Sequence, residues 1–286
     1  MSTARWVFDA IGTRWEIETA QQLDPVLRAD VTACIDRYDR EWSRFRPDSV
    51  VSRLARDGDS VPAPPDAAAL LEVYRALDAA TGRAVNPLVG DALARRGYDA
   101  AYGFTDLGPQ PAPDDWTSVL VCADGMLRLA VPATIDVGAV GKGRLVDLVA
   151  DLVEARVAGP VVVDAGGDMR VRGGPVRVAL EHPYDPTRAI GVWEPDSGAL
   201  CASAVNRRAW GDGLHHVLDA RTGEPVRTIA ATWVRADDAM HADALATALF
   251  FDGGPELAYR WGAVWARMTT AGRIEFSPGG EEGLFR

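Results

Sequence analysis

Three short stretches of this sequence combine residue types suited to phosphate chemistry. In Met240-His241-Ala242-Asp243-Ala244-Leu245-Ala246-Thr247, Asp243 and Thr247 stand four residues apart. On a helix they share one face and can offer a carboxylate and a hydroxyl to one ion. Two oxygen ligands on a rigid face suit magnesium, which keeps its other positions for water and substrate phosphates. The alternative is an Asp243 that caps the helix and a Thr247 that bonds back along it. In Ile135-Asp136-Val137-Gly138-Ala139-Val140-Gly141-Lys142-Gly143-Arg144, three glycines and a lysine fall between an expected strand ending near Asp136 and the start of a helix. Outward-pointing N–H groups at such a turn, the helix N-terminus and the ammonium together make an anion pocket. The spacing is neither GxxxxGK[ST] nor GxGxxG. The third stretch, Leu214 to Pro225, carries His215 and His216 on an expected strand that runs into a turn closed by Thr222-Gly223. Histidine titrates near neutrality and suits general-base work. Neighbours on a strand face opposite ways, so only one of the two can look into a given site; a plain polar strand end is the alternative.

The elements that must position these residues are legible from periodicity. Trp6 to Thr19 alternates apolar and polar residues around Gly12-Thr13 and reads as two strands or one bent strand. Val26, Leu27, Val31, Cys34, Ile35, Tyr38, Trp42 and Phe45 then form one apolar helical face. Pro47 breaks that helix, and Asp48 or Ser49 caps a short one carrying Val51 and Leu54. Helices are expected over 66–80, shortly after Asn86-Pro87, over 142–155 and over 239–251, and a hairpin over 119–130. Strands dominate 176–234, and two more close the chain near 263–268 and 273–276. Strands and helices do not alternate strictly, which predicts an α+β fold rather than a doubly wound sheet. The loop over 103–115 is the best candidate linker but too short to separate domains, so a single domain over 1–286 is expected.

Composition narrows the function classes. A chain of 286 residues with 48% hydrophobic content can bury a substantial core, and its net charge of −11 repels phosphate backbones and anionic lipid. No nucleic-acid partner and no membrane span are expected. The N-terminus has no apolar leader, since Arg5, Asp9 and Arg14 interrupt every candidate, and a cytoplasmic location follows as an expectation. Cys34, Cys122 and Cys201 lack CxxC spacing and read as buried thiols. Lys142 is the only lysine among 30 basic residues. An anionic ligand in so acidic a protein needs local cations or a metal, and that solitary ammonium lies in the glycine turn.

Six ordered stretches together resemble the FAD:protein FMN transferases, the ApbE-type proteins. They are Gly12-Thr13; Phe45-Arg46-Pro47-Asp48-Ser49 with Ser52-Arg53-Leu54; Asn86-Pro87-Leu88-Val89-Gly90; Asp136 to Asp147; Gly166-Gly167-Asp168; and His216 to Pro225 followed by Ala242-Asp243 to Thr247. The resemblance implies the fold of those transferases, FAD as substrate, Mg²⁺ on its pyrophosphate, and an acceptor flavoprotein carrying a Thr or Ser. Position by position it implies a metal held by Asp243, Thr247 and the backbone carbonyl of Ala139. It implies a flavin dinucleotide lined by Ile11, Phe45, Ala84, Val85, Asn86, Asp136, Lys142 and Val217, and His216 as the base for the acceptor hydroxyl. The sequence departs from the family at Val85-Asn86-Pro87, Arg144, Ala202-Ser203-Ala204 and Ala220. Hydrolysis of FAD to FMN and AMP, and FAD binding without chemistry, stay open beside transfer.

Overall fold

In the computed structural model, which describes residues 3–285, the opening alternation folds into the hairpin β1 (Ala4–Ala10) and β2 (Thr13–Thr19). Met1, Ser2 and Arg286 lie outside the described residues. The hairpin starts a sheet that continues through β3 (Val161–Ala165), β4 (Asp168–Arg172), β5 (Gly198–Ala204), β6 (Ile229–Ala236), β7 (Val264–Thr269) and β8 (Ile274–Phe276). All eight strands follow one another across the sheet in chain order, and every neighbouring pair is antiparallel. The expected α+β class therefore holds for a definite reason: the helices are long insertions between antiparallel neighbours, not crossovers between parallel ones.

The helices, in chain order, are α1 (Pro25–Trp42), α2 (Val50–Asp57), α3 (Ala67–Thr81), α4 (Gly90–Arg95), α5 (Trp116–Val119), α6 (Gly141–Glu154), α7 (Ala239–Ala248) and α8 (Gly254–Arg260). Asp24 accepts the Leu27 N–H to start α1, and Ser49 caps α2 by accepting the Ser52 N–H. α1 ends at Trp42, so Phe45 lies beyond the apolar face assigned to it, and Val26 at the opposite end is exposed. α8, α5 and a short strand at Ser60–Pro62 were not legible in the sequence pattern. The expected strand before Asp136 does not form: residues 131–140 run without strand pairing, tied down by the Asp136 N–H to the Pro87 carbonyl at 2.8 Å. Cys34 and Cys201 are buried, whereas Cys122 is only half-buried on the 120–129 hairpin; all three are free thiols.

Alternate residues of the central strands enter two cores. On β5, Ala199 and Cys201 face the helical layer, while Leu200 packs with Trp193, Trp233 and Met268 beneath a second hairpin of residues 178–193. On the helical side, α6 buries Leu145, Val146, Val149, Ala150 and Val153. Asp147 on the same helix accepts the Ala239 and Met240 N–H groups, each at 2.9 Å, and Asp238 accepts that of His241. Two carboxylates thus satisfy the first turn of α7 and complement its dipole, fixing its entry point against α6. The approach is close at Gly143, where an added Cβ would stand 2.1 Å from the Ala239 carbonyl oxygen and 2.7 Å from the Asp243 Cβ. Gly143→Ala is expected to destabilise the protein by about 1–3 kcal/mol through overpacking, seen as a lowered midpoint in thermal melts; an unchanged midpoint would mean the helices do not meet this closely.

Candidate active site

Where the first turn of α6 meets α7, the Gly143 N–H donates to Asp243 Oδ2 at 2.9 Å. The Arg144 N–H bonds the Val140 carbonyl at 3.0 Å, so the turn leaves the Ala139 carbonyl without a described helical donor. Asp238, not Asp243, caps α7, and the Thr247 hydroxyl makes no hydrogen bond to the described residues. The alternative of a cap with a back-bonded threonine is therefore not what the chain does. Asp243 is buried, yet its second oxygen has no hydrogen-bond donor and, like the Thr247 hydroxyl, is not fully enclosed. Burial first, and the nearby Asp168 charge second, push the Asp243 carboxyl up to about 8.

Asp243, Thr247 and Ala139 all line a cavity of about 1140 Å³ between the helical layer and the sheet. No three His, Cys, Asp or Glu side chains gather into a metal cage among the described residues. A cation here would instead meet one carboxylate, one hydroxyl and one carbonyl, the sparse hard-oxygen set that magnesium tolerates when substrate phosphates complete it. The carboxylate that holds its proton near neutrality is the kind of group a divalent ion would relieve, so the residues fit such an ion.

Lys142 also lines the cavity, but it is not a free cation. Its Nζ lies 2.8 Å from Asp168, a carboxylate only 1% exposed, and 3.4 Å from the Ala165 carbonyl. Burial is the largest single influence and works against the ammonium, yet the Asp168 and Asp243 charges together with the Asp168 hydrogen bond outweigh it and hold the Lys142 pKa above the ordinary lysine value. The turn that brings Asp168 there is tight: Gly166 has φ +63°, and a Cβ on it would stand 2.1 Å from Thr13 Oγ1 in the β1–β2 turn.

His215 and His216 divide as the two-faced argument expects, though His216 is not on a strand. Pairing ends at His215, and the next pair begins at Leu218. His215 is buried, with Nε2 2.9 Å from the Val226 carbonyl and Nδ1 accepting the Val217 N–H at 3.3 Å, a bracing role that a neutral ring fills. His216 lines the cavity, and its Nδ1 is enclosed without a hydrogen-bond partner. Burial above all, then the Arg208 charge, lowers the His216 pKa to about 3, so the ring is a neutral base at physiological pH.

The remaining expected residues line the same cavity: Ile11, Phe45, Ala84, Val85, Asn86, Asp136 and Val217. Several have structural partners as well. The Asn86 side chain donates to the Pro113 carbonyl at 2.8 Å and accepts the Leu88 N–H, and Asp136 receives Arg44 Nε at 2.5 Å and the Gly138 N–H at 2.7 Å. Phe45 stacks on Tyr102, with ring centroids 5.3 Å apart and 4° between planes. Sequence reasoning missed Arg14, Arg208 and Tyr102 as site residues and noted Ser203 only within a departure from the family; all four line the cavity. Nothing in composition distinguishes the two arginines from 27 others; their signal is spatial.

A family model described as the ApbE family matches residues 11–264. A FAD:protein FMN transferase of Rhodobacter capsulatus is 30% identical over 303 residues, covering 95% of this chain and 56% of that protein. One from Vibrio cholerae is 25% identical over 274 residues, covering 85% and 79%. The chain thus spans little more than half of the first relative's length. Among solved structures, the ApbE protein of Thermotoga maritima superposes with a TM-score of 0.85 at 23% identity over 100% of both chains. The flavin transferase ApbE of Vibrio cholerae does so with 0.82 at 22% identity over 99% of both. At those identities the structures bear on the fold.

Burial of a neutral His216 has a measurable cost. Below pH 6.5 the unfolded chain takes up a proton that the folded ring, with its pKa near 3, refuses, so stability present above pH 6.5 is lost as pH falls toward 3. Between pH 6.5 and 5 the His216→Gln variant is expected to lose about 1.5 kcal/mol less stability than wild type in urea melts; parallel losses would place the ring in water.

Proposed function

This chain belongs to the ApbE family, and from that premise we propose that it is a magnesium-dependent enzyme that moves FMN from FAD to a Thr or Ser hydroxyl of an acceptor protein, releasing AMP. The observation that carries the reading is the convergence in one cavity of the half-engaged Asp243 carboxylate, the Thr247 hydroxyl and the neutral His216 ring. The names of the Rhodobacter capsulatus and Vibrio cholerae relatives support the same reaction.

In this reading the acceptor oxygen attacks the FMN phosphorus. The P–O bond to the bridging oxygen breaks, AMP leaves with that oxygen, and the acceptor proton passes to His216. The ring can take it because it starts neutral, and with Nδ1 enclosed the proton would go to Nε2, the ring nitrogen left open to the cavity. Phosphoryl transfer depends mainly on alignment and on cations matched to the charge of the phosphoryl oxygens. Asp243, Thr247 and the Ala139 carbonyl would hold Mg²⁺, which supplies positive charge to the diphosphate. Lys142 would face the same anion, with its charge fixed in place by Asp168. Ile11, Phe45, Val85 and Val217 would shield the flavin dinucleotide from water, while Ala84, Asn86 and Asp136 hold the wall behind it.

Incubation with FAD and Mg²⁺ plus flavin-free protein of the source cell is expected to release AMP and to add FMN to a Thr or Ser peptide seen by mass spectrometry. His216→Ala should slow this by about 10²–10⁴-fold, the usual contribution of a positioned base. Asp243→Asn and chelation of the metal should each abolish it. AMP release that is equally fast without any acceptor would replace transfer with hydrolysis, and FAD bound with no AMP under any condition would leave a carrier.

A further inference from the structure

The cavity's cations are mostly spoken for. Arg46 is 3.0 Å from Asp39, Arg44 is 2.5 Å from Asp136, Arg207 is 3.0 Å from Glu181, and Lys142 is 2.8 Å from Asp168. Of the basic residues lining the cavity, only Arg14 and Arg208 have no carboxylate within ion-pair distance among the described residues. A doubly charged diphosphate in a protein of net charge −11 needs positive groups that are not already neutralised. The sequence pointed to the solitary lysine, but the structure matches that lysine with a buried partner.

Arg208 is distinguished from Arg14 by what it stands beside. A two-stranded ribbon pairs Ala209 with His215 and Trp210 with Leu214. One step further in the same register brings Arg208 opposite His216, and the His216 N–H donates to the Arg208 carbonyl at 3.3 Å. Residues directly opposite on an antiparallel ribbon project to the same face with Cβ atoms about 5 Å apart, and both of these line the cavity. The ribbon is anchored from behind: Trp210 stacks on Tyr98 with centroids 5.3 Å apart, and its Nε1 donates to the Arg96 carbonyl at 2.8 Å. The Arg208 side chain itself is exposed and makes no hydrogen bond to the described residues. Its charge reaches the His216 ring, adding to burial in keeping that ring neutral.

We propose that Arg208 is the phosphate-binding arginine of this site: opposite His216 on the ribbon, its planar fork receives phosphoryl oxygens of the flavin nucleotide beside the base. The inference rests on FAD being the substrate. A guanidinium is suited to the task because it grips two phosphoryl oxygens at once, and it cannot compete for the acceptor proton because it never gives up its own. One side chain would thereby both bind the anion and disfavour premature protonation of His216.

Titration of wild type and Arg208→Ala with riboflavin, FMN and FAD, without acceptor, tests this. Arg208→Ala is expected to weaken FMN and FAD by about 10–100-fold, the range for a charge-assisted hydrogen bond, and to leave riboflavin, which has no phosphate, within about 2-fold because that bond is absent from it. Arg208→Lys should recover part of the loss, and added guanidinium should restore part of the turnover of Arg208→Ala. Equal weakening of riboflavin and FAD would make Arg208 a structural residue, and undiminished FAD binding would remove it from the site; either result overturns the inference while leaving the proposed reaction standing. A wild-type protein that takes up no FAD overturns both.

Discussion

The close approach of α6 to α7 at Gly143 is the constraint on which the site depends. Because no side chain separates the two helices there, the Gly143 N–H reaches the Asp243 carboxylate directly. That bond consumes one carboxylate oxygen and turns the other toward the cavity. It also takes from the Ala139 carbonyl the donor that an uninterrupted helix would give it. One backbone contact thus leaves two oxygens, the second of Asp243 and the Ala139 carbonyl, free together, and the Thr247 hydroxyl one turn along α7 adds a third without a dedicated acidic cluster. Asp147 and Asp238, by satisfying the first turn of α7, hold the helix in the position that contact requires.

The electrostatics of the cavity follow from the same crowding. Asp243 and Asp168 are buried near one another, and the compensating charge comes chiefly from Lys142, with a smaller share from Arg208. Without further positive charge the cheaper state is a protonated Asp243, which is what a carboxyl pushed to about 8 expresses. A strongly acidic protein can therefore hold an anionic dinucleotide only by confining cations to this cavity, and the antiparallel order of the sheet is what gathers them. Asp168 opens β4 just past the β3–β4 turn, the β1–β2 turn buttresses that turn through Gly166 and Thr13, and the ribbon after β5 carries Arg208 and His216. These three segments reach one cavity because each is inserted between, or turns between, strands of one continuous sheet.

Much of this was legible in the sequence, for identifiable reasons. The amphipathic periods of α1, α3 and α6 and the alternation of β1 and β2 are set by burial of one face, and the chain obeys them. The four-residue spacing of Asp243 and Thr247 survives because helical geometry is rigid. What failed depended on contacts with distant segments. The stretch before Asp136 has strand-like composition, yet the Pro87 carbonyl claims the Asp136 N–H and no strand pairs with the stretch among the described residues. His216 falls just beyond a two-residue ladder, too short to leave a period. Lys142 was conspicuous by rarity and turned out to be paired, while Arg208 was hidden among many arginines and turned out to be unpaired. Pairing is a property of the fold, and residue type alone does not carry it.

The central claim is that Asp243, Thr247 and the Ala139 carbonyl form the seat of a hard divalent cation on the flavin diphosphate. Anomalous diffraction from crystals soaked with Mn²⁺ and FAD tests it most directly. The account predicts one strong peak within about 2–2.3 Å of an Asp243 oxygen and of Thr247 Oγ1, bridged to phosphate density on the side of Lys142. A peak elsewhere in the protein, with Asp243 still bonded only to Gly143, would contradict it.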